Sequence, residues 1–444
     1  MIFGGLFSTH LSAQDTTAVD RVRLGIMYQP GLRPRIIILP APEGYDSARA
    51  IIARDLDYSD RFEIVLIPDE GITPGLATGL TEFTDRPGEI NYDLYRALNA
   101  GYAIELAAAS SGMATILRVH DLTARKTRND TTVTLDLSGV GDGRMGWHRL
   151  SDRVVGWLTG QTGVAATRIV YQERGSQRVY RVDSDGYSVA AISPGGQTSL
   201  SPTWSPAGDR IAYSVLEESG QAPIMIHNLS NGARQPVPTI GSGGTHITPE
   251  FSPDGRWLAY ARITADGTAL FRSDVTRMCC AERLTGGRFA ADLSPTFSPD
   301  GRRIAFVSDR SGVPQIYVMA ADGTGQELLV PYDYGVTGAS YSPEWSPDGS
   351  AIIFHRMVEG SPQLFVYSLA GRQIRQLTSQ GRNEDGSWAP DSRHIVFISD
   401  RTGRRQLHVI DLETARVRQV PVPGQARLPS WSGLFSGSAS TSTP

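Results

Sequence analysis

The octapeptide SPTFSPDG, Ser294–Gly301, recurs along the second half of the chain. It reads SPTWSPAG at Ser201–Gly208, TPEFSPDG at Thr248–Gly255 and SPEWSPDG at Ser342–Gly349, then degenerates to EDGSWAPDS around Trp388 and LPSWSG around Trp431. The aromatic anchors are therefore Trp204, Phe251, Phe297, Trp345, Trp388 and Trp431, spaced by 43 to 48 residues. Ser-Pro-Asp-Gly is turn chemistry: proline presets φ, Asp bonds the local backbone, and Gly accepts positive φ. Between anchors lie short runs rich in Val, Ile and Tyr, such as Ile304–Phe306, Ile316–Met319 and Leu328–Val330, bounded by Gly, Pro and Asp; these read as strands. Four strands per ~45 residues is the pattern of a β-propeller blade.

The anchors number six, and the two ends of the repeat region complement each other. Arg168–Ser193 holds second-to-fourth strands with no preceding Ser-Pro unit, while Pro429–Ser432 holds a first strand with nothing after it. Pairing Pro429–Ser432 beside Arg168–Tyr171 completes the sixth blade from both ends and leaves no open edge. The reading is a six-bladed propeller over residues 167–435, with a Ser/Thr-rich tail at 436–444.

The first third has different punctuation. RIIILP at Arg35–Pro40 is a buried-strand run, Asp46–Leu56 a helix, Phe62–Ile67 a strand, Asp69–Glu89 a Gly/Pro/Thr-rich loop and Tyr92–Ala100 a short helix. Tyr102–Ala109, Ala114–His120 and Thr132–Leu137 are expected to form a meander. Gly146–Leu158 is expected to be a helix with Trp147, Leu150, Val154 and Leu158 along one face. This makes an α/β (α+β) domain over 34–166. Residues 1–13 resemble the end of a secretion signal, with Leu11-Ser12-Ala13 as a small-residue cleavage site.

Composition narrows the function classes. The chain has 444 residues, 40% of them hydrophobic and 20% charged, with a formal net charge of −4. A dominant electrostatic attraction to nucleic acid or anionic lipid is not expected of that balance. No run of 18 apolar residues occurs, so no direct membrane span is expected. The two cysteines, Cys279 and Cys280, are adjacent: they are either two strand-edge thiols, the favoured reading, or a strained vicinal disulfide. There is no G-x-S-x-G elbow, no H-E-x-x-H and no phosphate-binding G-x-x-x-x-G-K-[ST] loop. Neither catalytic residues, nor a metal, nor a cofactor is expected. Asp183-Ser184-Asp185-Gly186 reads as a turn rather than a calcium loop, and Ser308-Asp309-Arg310 and Ser399-Asp400-Arg401 as a repeated turn of the blade.

Two longer passages carry a resemblance. IIARDLDYSDRFEIV (Ile51–Val65) and HRLSDRVVGWLTGQTGVAATRIVY (His148–Tyr171) resemble the helix-to-strand unit and the entry into the propeller of the TolB family, periplasmic proteins of the bacterial Tol–Pal envelope-integrity and cell-division system. The resemblance covers about Val22 to Ser432. It implies a monomeric, non-enzymatic periplasmic scaffold, exported by a signal peptide, with two partners. A mobile arm, 14–33, would engage the TolA-like inner-membrane protein through Val22, Leu24, Ile26 and Met27, by strand addition. The propeller would bind the Pal-like peptidoglycan-associated lipoprotein. The blade-to-blade loops differ in length and content, as binding loops on a rigid scaffold do. They offer His246, Arg288, Tyr334, Arg382, Glu384 and Arg427, with His246 expected near the channel mouth. The alternative is a propeller enzyme or small-ligand-binding propeller with its site at that mouth.

Overall fold

Strand β1, Arg35–Ile38, is the centre of the N-terminal region. Its Ile36, Ile37 and Ile38 are all buried, so side chains on both faces need cover. The computed structural model describes residues 33–66, 90–109, 114–135, 137, 141–241, 244–286, 290–330 and 338–435. The arm positions Val22, Leu24, Ile26 and Met27, the leader-like segment and the 436–444 tail lie outside them. β1 pairs in parallel with β2 (Glu63–Leu66) on one side and β3 (Tyr102–Ala108) on the other. β4 (Thr115–Asp121) and β5 (Lys126–Val133) extend β3 as an antiparallel meander, giving the order β2-β1-β3-β4-β5.

Helices α1 (Asp46–Tyr58) and α3 (Gly141–Thr159) cover one face. Ile51, Ile52 and Leu56 from α1, with Trp147, Leu150 and Val154 from α3, form one cluster with Ile36 and Ile38. The short helix α2 (Tyr92–Ala97), capped by the Asn91 side chain accepting from Leu94 N, covers the other face over Ile37. One strand sits elsewhere than its sequence suggests. β5 is the polar run Lys126–Val133, not Thr132–Leu137. It is a half-exposed edge, so pairing with β4 rather than apolar alternation defines it, and propensity reading has little to act on there.

Residues from Arg168 to Trp431 form six four-stranded antiparallel sheets. The innermost strands are Thr198–Trp204, Thr245–Phe251, Asp292–Phe297, Ser340–Trp345, Asn383–Trp388 and Ala426–Trp431, which number blades 1 to 6. Blade 6 is closed as the repeat count requires: Trp431 registers with Ile169 and Ser430 with Val170. Trp431 Nε1 donates to Thr167 Oγ1 at 2.7 Å and Ser432 N to Arg168 O at 2.8 Å. Phe435 then packs edge-on against Trp204, sealing the seam onto blade 1.

The Ser-Pro-Asp-Gly turns join first to second strands. In blade 3, Ser298 Oγ accepts from Arg303 N at 2.9 Å, Asp300 accepts from Arg302 N at 3.0 Å, and Gly301 takes φ +69°. Cys279 and Cys280 form a vicinal disulfide at the start of an outer strand, in place of the two free thiols favoured by the sequence.

The N-terminal domain docks on the face that carries these turns. Arg416, in the third-to-fourth turn of blade 5, pairs with Asp57 at 2.7 Å and Asp60 at 3.1 Å, at and beyond the end of α1. The opposite face is built from second-to-third turns and blade-to-blade loops, and among the described residues the contacts of that domain fall on the turn face.

Candidate functional site

The loop face is held by two repeated devices. The first is a glutamine at or near the start of the third strand. The side-chain amides of Gln315, Gln363 and Gln406 donate to the carbonyls of Gly338, Gly381 and Gly424, each in the following blade-to-blade loop; for Gln363 the distance is 2.7 Å. The second is Ser-Asp-Arg. Asp309 accepts from Ala291 N at 2.7 Å and Asp400 from Arg382 N at 2.8 Å, fixing the loop that enters the inner strand. Arg310 pairs with Asp292 at 3.0 Å, and Arg401 donates to Asn383 Oδ1 at 2.9 Å. The recurrent tripeptide is thus a loop anchor, consistent with the blade-structure reading of its recurrence.

On these anchored loops three of the six expected side chains come together. Glu384 pairs with Arg405 at 2.7 Å, and it feels the positive charges of Arg382 and Arg427. Burial, with the neighbouring Asp385, pushes its carboxyl up, against the pull of those arginines. Arg382, Glu384 and Arg427 are all half-buried at the entry to blades 5 and 6. Blades 1 to 3 carry a different chemistry on the same face: Leu216, Ile240, Ile263 and Val313 are exposed by 40, 42, 46 and 39%. The face thus carries exposed apolar side chains among polar ones over blades 1 to 3 and the Glu384 charge group over blades 5 and 6.

His246 is not presented at the mouth. It is 2% exposed, with Nδ1 3.2 Å from Ala222 O and its ring edge-on to Tyr260. Residue 246 lies at the start of an inner strand, where alternation turns its side chain into the blade packing. Burial, with Arg262 nearby, lowers its pKa. Arg288 and Tyr334 lie outside the described residues.

The channel itself holds what the sequence reading missed. The position of the first Ser-Pro, which reads Thr-Pro in blade 2, Asp-Gly in blade 5 and Leu-Pro in blade 6, is a β-bulge in every repeat. Ser201, Thr248, Ser294, Ser342, Asp385 and Leu428 all take φ between +47° and +55°, and the register of each inner strand shifts there. The residue after the proline, or after Gly386 in blade 5, then ties its blade to a neighbour. Thr296 Oγ1 accepts from Trp345 N, Glu344 Oε1 from Trp388 N at 2.8 Å and Ser387 Oγ from Trp431 N at 2.9 Å.

In blades 2 and 4 that residue is a glutamate, and both glutamates line a cavity of about 120 Å³ in the channel. Burial pushes the Glu250 carboxyl up to about 7, against the Thr203 hydroxyl donating at 2.9 Å. Burial and the Glu250 charge push Glu344 up to about 8. The signal was available: aligned on the repeats, this position reads Thr, Glu, Thr, Glu, Ser, Ser.

Asp55, His148 and Asp185 come close enough to suggest a metal centre at the seam between the domains. Asp55 holds the ring at Nδ1, 2.8 Å away, while Asp185 lies 3.9 Å from Nε2. Arg144 and Arg54 already supply positive charge at Asp185. The group is an ion-pair network.

Comparison with known proteins matches residues 155–433 to the family model described as TolB beta propeller domain. The chain is 38% identical over 125 residues to the Tol-Pal system protein TolB of Alcanivorax borkumensis, covering 27% of this chain and 28% of that one. It is 34% identical over 185 residues to the protein of the same name from Bordetella pertussis, covering 40% of each. The matched stretches thus span less than half the length of these curated relatives. The crystal structure of TolB from Acinetobacter baumannii superposes with a TM-score of 0.74 at 20% identity, over 91% of this chain and 98% of that one. That likeness places the α/β region and the six-bladed propeller in one known arrangement.

Proposed function

Because the chain belongs to the TolB β-propeller family, we propose that it is a non-enzymatic periplasmic scaffold of a Tol–Pal system. In this reading the loop face of the propeller binds the Pal-like lipoprotein and segment 14–33 engages the TolA-like protein. The observation that carries the reading is the loop face. Its loops are anchored at fixed points by Gln315, Gln363, Gln406, Asp309 and Asp400, which lowers the entropy lost on binding a partner. It joins exposed Leu216, Ile240, Ile263 and Val313 to the charged group of Arg382, Glu384, Arg405 and Arg427. Exposed apolar side chains on the same face as a charged group suit a folded protein surface. In this reading Arg288, Tyr334 and His246 serve the same face, His246 from beneath through Ala222 in the second-to-third loop of blade 1.

Size weighs against a small-molecule site at the channel mouth. The channel cavity of about 120 Å³ is well below the ~300–1,000 Å³ of ordinary ligand pockets. Its described lining, of Ser, Thr, Pro, Gly, Leu, Glu and Asp, has no histidine or cysteine.

Calorimetric titration of the full chain with a soluble Pal-like domain tests the proposal. Arg382→Ala/Arg427→Ala should weaken binding by tenfold or more, and Asp254→Ala/Asp300→Ala on the opposite face should leave it within twofold. Equal binding by both variants would place Pal elsewhere. Deleting 14–33 should abolish TolA binding and spare Pal binding.

A further inference from the structure

Two histidines cross the seam between the domains in the same manner and from opposite sides. His148, on α3, is fully buried: its Nδ1 lies 2.8 Å from Asp55 Oδ2 in its own domain, and its Nε2 3.9 Å from Asp185 Oδ2 in the third-to-fourth turn of blade 6. His394, in blade 5, is 1% exposed: its Nδ1 lies 2.7 Å from Asp391 Oδ2 in its own blade, and its Nε2 3.4 Å from Asp60 Oδ2, just past α1. Each ring is held at one nitrogen by an acid of its own domain and points the other at an acid across the seam. With Nδ1 donating to the nearer carboxylate, Nε2 carries a proton only in the imidazolium. A neutral ring would set a lone pair against the second carboxylate.

The surrounding charges are of both signs. Near His148, Arg144 of α3 and Arg54 of α1 pair with Asp185, Arg418 of blade 5 faces the same acid, and Asp152 lies further along α3. Near His394, Asp411 is paired with Arg393, which also reaches Glu413. Arg61 lies beside that group, and Arg416 and Arg33 share Asp60. Burial works against the charged form of both rings. Asp55 and Asp185 outweigh it at His148, and Asp391, Asp60 and Asp411 at His394, so both pKa values stand above the ordinary one.

We propose that the two domains are joined by a pH-sensitive clasp, in which protonated His148 and His394 each bridge a carboxylate of one domain to a carboxylate of the other, and loss of the two protons loosens the seam. The sign follows from linkage. Only the part of each rise that comes from across the seam, Asp185 at His148 and Asp60 at His394, is linked to docking: it favours docking fully below the undocked values and is lost as pH climbs through the docked ones. The docked-to-undocked ratio then falls about tenfold for each unit by which docking raises either ring.

The test uses the full chain with its Cys279–Cys280 disulfide intact. Spin labels at Ser47→Cys on α1 and Asn231→Cys on blade 1 read the interdomain distance by pulsed electron resonance. A narrow distribution at pH 5.5 that broadens at pH 9 is expected, with His148→Gln/His394→Gln giving one pH-independent distribution. An identical wild-type distribution at both pH values overturns the proposal. So does a pH response kept in full by the double variant, which would assign it to Asp152, itself pushed up to about 7 by burial. Should the double variant fail to fold, the wild-type chain decides alone. Labelling its histidine rings with ¹³C must show two that titrate above the ordinary range, and their absence also overturns the clasp.

Discussion

Replacing Glu344 by Gln should stabilise the propeller at alkaline pH and leave it unchanged in acid. The carboxyl sits in the channel wall, where Oε1 accepts from Trp388 N at 2.8 Å and from Ser387 Oγ at 3.1 Å. A glutamine Oε1 keeps both bonds, and its amide stands in for the protonated oxygen, so the substitution mimics the acid form without a cavity. Raising the carboxyl from 4.5 to about 8 means the folded chain holds a proton that the unfolded chain has released across that interval. Stability therefore falls as pH rises through it. At ~1.4 kcal/mol per unit the ceiling is about 5 kcal/mol. Glu344 is only half-buried, and solvent in the channel screens part of the penalty, which brings the effect to the order of 2–3 kcal/mol.

Urea unfolding at pH 5 and pH 9 reads the difference directly. Wild type should lose midpoint between the two, and Glu344→Gln should lose markedly less. Part of the shift comes from the Glu250 charge, so Glu250→Gln should lower the Glu344 value and flatten the wild-type slope too. The double variant should then gain less than the sum of the single ones. Equal pH slopes in wild type and Glu344→Gln would show that the channel solvates the carboxylate freely, and the burial argument would fail.

Ending the chain before Arg427 removes the inner strand of blade 6 and with it Trp431, which is 6% exposed and bonded to Thr167. Trp431→Ala alone should cost about 3–5 kcal/mol, and the truncation should melt well below full length in a thermal scan; an unchanged midpoint would refute ring closure through this strand. Gln363→Ala should release the loop at Gly381, because Gln363 bonds that carbonyl at 2.7 Å and accepts from Asn383 at 2.8 Å. Amide exchange over residues 378–383 should speed up by about tenfold with little change in global stability, for a loss of roughly 1–2 kcal/mol confined to the loop.

What the sequence by itself determined are the features written in contiguous residues. Ser-Pro-Asp-Gly turns need only their own few residues, so the six anchors, the strand count and the splitting of blade 6 between both ends were legible before any coordinate. The Ser-Asp-Arg repeat was legible as structure for the same reason, although its loop-anchoring bonds were not. RIIILP and the Trp147 helix face likewise followed from local periodicity. The polar strand β5 did not, because its partner β4, and not its own pattern, makes it a strand. Tertiary structure alone decided the rest. The repeat alignment marks the two glutamates as departures, but only the six inner strands enclose position 250 with position 344 in one channel. His246 reads as a rim residue until the start of its strand turns it against Tyr260. Asp60 and Arg393 are 333 positions apart, and nothing local marks either as the other's partner. Turn chemistry is a free energy of neighbouring residues, whereas burial, pKa and the charge across a domain seam depend on what distant segments remove from water.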